Sequence, residues 1–398
     1  MLIILAVLLI IARRKYKETG TTGTLIILYS FILSTFLGVV YKILFPNQVG
    51  QYSIFSMLYY LICLILFFVP LLKNNIGWES FYFPEKSTRI ISIILIIGGF
   101  VVLYSSIVNF DMNRLNMSLL EQRNEYYQNY HEDAVIATRW YDRISSNIRH
   151  LMILSIPLFY YYLCKNEKKY AVLLGSASLS LLAMSIMNAS RQEFILWVGC
   201  TLYSYFLFRS GLNEKTKHGV KLFLWIFGGL SIAAVVAITL SRFGAGTGYN
   251  TWNVFFQYSG AQPYNAARFL EELHSQAQWG KINFPYLWGS GYVKEINDYI
   301  ESPFYLNVFG SLVGSFYLDF GYFTVFFVFI YSLLFDKLLS FYKRKNSFAY
   351  FFLYNIYCDI IFSGMFYYRY ITSERIRILV FVLFLIIIID NSYSKKKV

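Results

Sequence analysis

Arginine and lysine occupy different parts of this chain. Of its 16 arginines, 11 lie in or beside segments 45–52, 109–146, 188–193, 241–317 and 367–375, whereas 16 of its 19 lysines lie elsewhere. A guanidinium group stays charged in a partly dry site and binds carboxylate or phosphate through two parallel hydrogen bonds. Each arginine could instead pair with a nearby carboxylate and hold a loop together. As a group they predict a site for an anion, with these candidates: Arg139, Arg143, Arg191, Arg242 and Arg268.

The longest arginine-bearing segment, 241–317, also carries groups suited to acid–base chemistry and to sugar binding. Its stretch "QPYNAARFLEELHSQ" predicts a short helix with Pro263 near its start. That helix would bring together Arg268, Glu272 and His274. The following stretch, "WGSGYVKEINDYIES", places aromatic rings beside carboxylates, an arrangement that suits the faces and hydroxyls of sugars: Trp288, Tyr292 and Glu295. Aromatic residues close to a bilayer also serve as ordinary interfacial anchors.

Other motifs point away from nucleotide and metal chemistry. The glycines of "SRFGAGTGYN" could approach a phosphate, but the stretch lacks the GK[ST] ending and the strand–helix setting of a P-loop. The "HED" cluster at 131–133 matches no metal-ligand spacing, and none of the four cysteines forms a CxxC pair. We therefore predict neither a metal site nor a cofactor.

The composition is that of an integral membrane protein. The chain has 398 residues, of which 57% are hydrophobic and 14% are charged, against about 25% charged residues in soluble domains. A helix needs about 20 apolar residues to cross the bilayer. Apolar runs lie near 1–12, 24–44, 53–72, 90–108, 147–164, 170–187, 194–208, 222–240, 318–339, 348–366 and 376–390. The first is too short to cross unaided, so the sequence predicts an all-α polytopic membrane protein with ten or eleven spans.

The linkers between these runs alternate in kind, which predicts the orientation. One set is short and lysine-rich, with stretches such as "RRKYK", "CKNEKK" and "YKRKN". Because basic loops stay in the cytoplasm, this set is predicted to lie inside. The formal net charge of +13 then reports topology and not a nucleic-acid partner. The arginine-bearing segments fall outside, so the chain reads as one membrane domain, 1–398, with two large extracytoplasmic loops, 109–146 and 241–317.

A short hairpin and two aspartates also place charged groups at or within the predicted spans. The stretch "SIMNASRQEFILW" predicts a tight helical hairpin with Arg191 and Glu193 at its outer mouth. Asp319 lies where an apolar span begins, and Asp359 lies within another. Carboxylates in a membrane are costly and are usually paired or functional.

Several of these features together resemble the bacterial oligosaccharide repeat-unit polymerases, the Wzy-type O-antigen and capsule polymerase family. They are the ten or so spans, the two arginine-rich outer loops, the "ASRQEF" hairpin and the "NVFGSLVGSFYLDFG" stretch that leads into a late span. The resemblance covers most of the chain in architecture and rests on two short stretches at residue level.

The resemblance implies a metal-independent membrane glycosyltransferase of the GT-C type. Such an enzyme joins oligosaccharide units carried on undecaprenyl diphosphate at the outer face of the bacterial cytoplasmic (inner) membrane. By position, Arg191, Arg242 and Arg268 would hold the lipid diphosphate, with Arg139 and Arg143 as further candidates. Membrane lipid, a chain-length regulator and a flippase are the partners that the family suggests.

If the donor is a diphosphate-linked glycan, arginines would stabilise the leaving diphosphate, and a general base would activate the acceptor hydroxyl. His274 and Glu272 are the favoured bases because they lie close to Arg268. Asp319, Glu193 and His131 are further candidates.

Three other functions fit the same architecture. A transporter or flippase of lipid-linked glycans would place charges at mid-membrane on broken helices and would often show internal repeats. An O-antigen ligase would transfer finished polymer to lipid A core. A scaffold in an export complex would need no chemistry. The concentration of charge in outer loops favours an enzyme.

Overall fold

The structure is a computed structural model, and all the regular secondary structure in the residues it describes is helical. Those residues are 2–19, 23–47, 52–74, 77–109, 139–187, 192–243, 251–272, 277–281, 283–284, 311–366, 368 and 373–394. No β-strand occurs among them. The predicted all-α class is therefore confirmed.

The described residues cluster into two compact units, and the first combines both ends of the sequence. It covers Met1–Tyr82 and Trp252–Leu383. Its helices are α1 (Leu2–Thr19), α2 (Gly23–Leu44), α3 (Ile54–Lys73), α11 (Thr251–Gly260), α12 (Gln262–Glu272), α13 (Ser311–Phe320), α14 (Thr324–Arg344) and α15 (Phe348–Ser363).

The second unit covers Phe83–Thr251 and Phe384–Val398. Its helices are α4 (Glu85–Val108), α5 (Trp140–Ile148), α6 (Ser155–Cys164), α7 (Lys168–Ser178), α8 (Ser180–Met187), α9 (Gln192–Phe208) and α10 (Glu214–Phe243). A final helix, α16 (Ser373–Ser394), contains the boundary between the units.

Six helical stretches are long and apolar enough to cross a membrane, and they agree with the predicted apolar runs. They are Gly23–Leu44, Ile54–Lys73, Glu85–Val108, Lys168–Ile186, Glu214–Leu240 and Ser311–Arg344. The runs near 194–208 and 348–366 form helices of 17 and 16 residues, and the run near 147–164 begins as a 3-10 helix, Arg149–Leu154. A multi-pass membrane chain is thus confirmed, while the count of ten or eleven spans stays a prediction.

In the first unit, α3 and α14 pack side by side and run in the same direction. At their start, the Tyr59 hydroxyl donates to the Tyr322 carbonyl at 2.9 Å and accepts from the Val325 N–H at 3.2 Å. At their far end, Lys73 Nζ lies 2.9 Å from the Asp336 carboxylate. The lysine-rich ends of both helices therefore lie together, as the alternation of linkers predicts.

The second unit shows the same segregation of its ends. At one end, Cys164 Sγ donates to the Phe208 carbonyl at 3.6 Å, and the Phe83 ring stacks on Tyr161 with centroids 4.0 Å apart. These residues border three lysine-containing linkers. At the opposite end of α4, the Ser105 hydroxyl donates to the Asp142 carboxylate at 2.7 Å. The grouping of linkers is consistent within each unit.

Small residues allow the helices of the first unit to approach closely. A Cβ on Gly38 of α2 would clash with the carbonyl oxygen of Gly260, the last residue of α11. Beside this crossing, the Ser34 hydroxyl donates to the Ser259 carbonyl at 2.8 Å. Close backbone approach through small residues is typical of membrane helix pairs, which lack a hydrophobic drive to associate. The crossing fixes where α12 begins.

The predicted orientation can be tested by labelling exposed positions in intact cells. Cysteine substituted for Trp140 or Trp279, which are 65% and 52% exposed, is expected to react with a membrane-impermeant maleimide added outside. Cysteine substituted for Lys169 or Lys345 is expected to react only after permeabilisation. The unsubstituted chain, whose four cysteines are free, gives the background. The reverse pattern would contradict the orientation.

Candidate functional site

Helix α12 lies inside the first unit although its sequence belongs to the predicted outer segment 241–317. The helix predicted around Pro263 is confirmed, and it packs against α2, α3 and α13. Its Ala266, Ala267, Phe269 and Leu270 are buried. The Tyr317 hydroxyl of α13 donates to the Leu270 carbonyl at 3.3 Å. The apolar face of α12 is therefore packed into the unit, while Arg268 and Glu271 on its other side are half-buried.

The polar face of α12 carries three residues at helical spacing. Tyr264, Arg268 and Glu271 are separated by four and three positions, which places them on one side of a helix. This face meets the last turn of α2 and the first turn of α3, so it lies at the end of the unit that is predicted to be outside.

Glu271 is bound to the start of α3. Its carboxylate accepts hydrogen bonds from the Ser53 backbone N–H and, at 2.9 Å, from the Ser56 hydroxyl. Ser53 is itself the N-cap of α3, and its hydroxyl accepts from the Ser56 N–H at 3.1 Å. Desolvation raises the Glu271 pKa, but the bonds from the two serines outweigh it and leave the pKa below its ordinary value. A carboxylate also suits the positive end of a helix dipole.

Two cations and two aromatic rings lie on the same side as Glu271. Lys42 Nζ donates to the Tyr52 hydroxyl and lies 4.6 Å from the centroid of that ring. The Tyr52 and Tyr264 rings are 5.2 Å apart. Arg268 is half-buried and interacts electrostatically with the hydroxyl of Tyr41, the neighbour of Lys42. We call Lys42, Tyr52, Tyr264, Arg268 and Glu271 the α12 cluster.

The α12 cluster combines the chemical groups that recognise an anionic glycan. Two cations can share the charge of a phosphate or diphosphate, and the guanidinium can do so through two bonds at once. The half-buried Tyr52 offers a ring face and a hydroxyl for a sugar, and the buried Tyr264 ring packs beside it. Glu271 is ionised at neutral pH and already accepts two bonds, so it suits hydrogen bonding better than proton abstraction.

Asp319 lies at the same end of the unit and is fully buried. Its carboxylate accepts from the Gly280 N–H at 2.8 Å and from the Asn283 N–H at 2.9 Å. Its backbone carbonyl accepts from the Gln278 and Trp279 N–H groups at 2.7 and 2.9 Å. The carboxylate was predicted as a candidate base, but this geometry favours an anchoring role for the turn at 277–284.

The anchored turn has an unusual backbone that presents an aromatic ring. Trp279 has φ 54°, in the left-handed region that few bulky residues adopt, and Gly280 follows with φ 95°. The Trp279 ring is 52% exposed and lies 5.6 Å from the Phe323 ring. Sequence reasoning did not single out this tryptophan, because only the bonds to Asp319 reveal how it is held.

The candidates of segment 109–146 belong to the second unit. Arg139 precedes α5, and its guanidinium donates to the Tyr141 hydroxyl at 2.7 Å. Arg143 is exposed on α5. Asp142, the neighbour of Arg143 in sequence, accepts hydrogen bonds from Ser105 and, at 2.7 Å, from Asn109. The Asp142 carboxylate thus binds the start of α5, with both arginines, to the end of α4 that is predicted to be outside.

The remaining candidates fall partly or wholly outside the described residues. Helices α8 and α9 flank the predicted hairpin at 188–191. Arg242 and Glu272 lie within α10 and α12, and their side chains are not described. The candidates beyond the described ranges are His131, Arg191, His274, Trp288, Tyr292 and Glu295. Their roles stay predictions.

Sequence reasoning missed two members of the α12 cluster that carry a recognisable signal. Glu271 shares the spacing of Tyr264 and Arg268, so a helical-face argument would have chosen it beside Glu272. Lys42 is one of the few lysines predicted to lie outside. Tyr52, by contrast, is brought in only by tertiary packing.

Comparisons with known proteins identify no relative of this chain. No protein-family model matches it, and no curated protein or solved structure does either. Within the described ranges, no group of three or more His, Cys, Asp or Glu side chains is placed to hold a metal ion.

Replacing Asp319 tests its anchoring role. Asp319→Ala leaves the buried Gly280 and Asn283 N–H groups without their acceptor, so we expect the free energy of unfolding to fall by about 2–5 kcal/mol. Asp319→Asn keeps one acceptor oxygen and should lose less. The stability of both variants is measured by thermal unfolding in detergent, with a thiol-reactive dye that reports exposure of the buried Cys63 and Cys358. Glu214→Gln, at a side chain 89% exposed, is the control. An Asn variant as stable as wild type but inactive would instead favour the catalytic role.

The stability contributed by Glu271 is expected to depend on pH. Because its pKa is lowered in the folded state, the contribution is complete above the ordinary value of 4.5 and is lost as pH falls through the lower folded pKa. Glu271→Gln should therefore have a lower melting temperature than wild type at pH 7, and this difference should shrink as pH falls below 4.5. Glu85→Gln, at an exposed pair with Arg89, should show little gap at pH 7. A pH-independent gap for Glu271→Gln would contradict the assignment.

Proposed function

We propose that this chain polymerises lipid-linked oligosaccharide repeat units into surface polysaccharide, as Wzy-type polymerases do. The reaction would take place at the outer face of the bacterial cytoplasmic membrane, with undecaprenyl diphosphate as carrier and leaving group. The observation that carries the proposal is the α12 cluster, in which two cations, two tyrosines and an ionised carboxylate meet at one end of a helical membrane unit.

The charge of the cluster suits a diphosphate leaving group. Negative charge grows on the leaving oxygen as the glycosidic bond breaks, and fixed cations stabilise it most when they need no rearrangement. Arg268 is on a helix whose other face is buried, so its backbone position is fixed. Lys42 of α2 supplies a second cation, and its ammonium group lies over the Tyr52 ring.

The preference among candidate bases follows from which carboxylates are already engaged. Asp319 accepts two backbone N–H groups and is buried, while Glu271 accepts two serine donors at a lowered pKa. A general base works best with a pKa near the working pH. His274 and Glu272, which follow Arg268 closely in sequence, are therefore the bases we prefer.

The cluster also favours an enzyme at the surface over a transporter. Its groups lie at helix ends, where α2 finishes and α3 starts, and not at mid-membrane. A ligase would share this geometry but would use lipid A core as acceptor. Supplying the acceptor in the assay separates these activities.

Removing the guanidinium of Arg268 is expected to abolish polymerisation. With purified protein and the lipid-linked repeat units of its source bacterium, Arg268→Gln should lower polymer formation by about 100-fold or more, the usual cost of removing one transition-state donor. Arg268→Lys keeps the charge but not the planar fork, so partial activity is expected. In cells, single repeat units should accumulate on lipid. Arg191→Gln is expected to behave in the same way.

The control is Arg344→Gln, an exposed arginine at the lysine-rich end of α14, which should leave the product ladder unchanged. A normal ladder from both Arg191→Gln and Arg268→Gln would remove these residues from the site. If wild-type protein yields no ladder but transfers polymer to lipid A core, the chain is a ligase. Movement of intact repeat units across vesicles without new glycosidic bonds would make it a flippase.

A further inference from the structure

The second unit contains an apolar groove that the proposed function does not use. It has a volume of 390 Å³ and is walled by α6, α7, α9 and α10. Its lining includes Phe159 and Leu163 of α6, Val172 of α7, Trp197 of α9 and Phe223 of α10. Such a volume is in the range of ligand sites in proteins, about 300–1,000 Å³.

Ser178 and Thr201, two of the four hydroxyl-bearing residues in the wall, form hydrogen bonds within the protein. The Ser178 hydroxyl donates to the Gly175 carbonyl at 2.7 Å and accepts from Trp197 Nε1 at 3.2 Å. The Thr201 hydroxyl donates to the Trp197 carbonyl at 2.6 Å. The groove therefore offers carbon surface to an occupant, and a hydrocarbon chain fits that chemistry.

One end of the groove opens at the lysine-rich linkers. Leu163 is in the last turn of α6, Val172 is one turn into α7, and Thr216 is in the first turn of α10. The two linkers that join these helix ends, 164–169 and 209–221, carry seven lysines and arginines and two glutamates. Lys165, Lys168, Lys169, Lys215 and Lys221 are exposed. Glu214 pairs with Lys217 at 2.8 Å.

We propose that the groove binds one acyl chain of an anionic phospholipid whose phosphate meets these lysines. Two observations select this occupant: carbon walls along the groove, and a net positive rim at the end predicted to be cytoplasmic. Basic residues beside membrane helices on that side attract anionic lipid headgroups. A neutral phospholipid would fill the same walls without using the rim. The proposal concerns a lipid of the inner leaflet and does not rest on the polymerase function.

Substitution of Gly219 by a larger residue would fill the groove. Gly219 lines the groove on α10, and a Cβ there would meet nothing within 4 Å. Gly229, on the same helix, has equally open surroundings but does not line the groove. Because the Cβ added by either change meets open space and both changes remove a helix-weakening glycine, both variants should fold. Gly219→Phe and Gly229→Phe therefore form a matched pair.

The experiment is native mass spectrometry of purified protein from mixed micelles with equal phosphatidylglycerol and phosphatidylcholine. Wild type is expected to retain phosphatidylglycerol preferentially, and Gly229→Phe should do the same. Gly219→Phe should lose the retained lipid. Lys168→Gln and Lys215→Gln should each lower the preference for phosphatidylglycerol by about fivefold while leaving phosphatidylcholine retention unchanged.

Equal retention of the two lipids by wild type would overturn the anionic assignment. Equal behaviour of the Gly219→Phe and Gly229→Phe proteins would overturn the groove as the site. If Gly219→Phe fails to fold, the two lysine variants decide the question, since they lie on the rim and leave the walls intact. Unchanged selectivity in both lysine variants would then refute the proposal.

Discussion

Backbone that leaves the helical pattern inside a membrane protein must find its hydrogen bonds within the protein, and Asp319 meets that constraint for the first unit. A buried backbone N–H group without a hydrogen-bond partner costs several kcal/mol. Asp319 supplies both carboxylate oxygens and its own carbonyl to four N–H groups of the turn at 277–284. Asp319 is the penultimate residue of α13, just before the 3-10 turn Gly321–Phe323 that leads into α14. A single residue thus binds the irregular backbone that follows α12 in the sequence to α13.

The α12 cluster depends on how its helix is packed on two sides. Helix α12 buries its apolar face against α13, where a Cβ at Gly314 would come within 3.0 Å of the Phe269 ring. Its other face carries Glu271, which binds the start of α3 through Ser53 and Ser56. With both faces held, the Arg268 backbone has little freedom to move. Fixed charge of this kind costs no rearrangement when an anion binds, which is the property that makes it effective.

Much of this architecture could be predicted from the sequence, because span length and helix spacing are local properties. The apolar runs, the short helix around Pro263 and the grouping of lysine-rich linkers all follow from such patterns. The role of Asp319 could not be predicted, since its partners Gly280 and Asn283 are 39 and 36 positions away. Likewise, Tyr52 meets Tyr264 only through folding. Sequence spacing predicts which residues share a helix face, but not which distant backbone a carboxylate binds.

The different chemistry of lysine and arginine explains why they occur at different ends of the helices. An ammonium is a compact, strongly hydrated charge on a flexible stem, which suits the shifting headgroups of a lipid surface and needs no fixed geometry. The lysines around the groove of the second unit are exposed in this way. A guanidinium offers a planar fork that gains from a fixed partner, and Arg268 is half-buried on a packed helix. Topology alone requires only positive charge at one end. The diphosphate ligand that we propose would account for arginine at the end predicted to be outside, because its binding gains from a fixed planar donor.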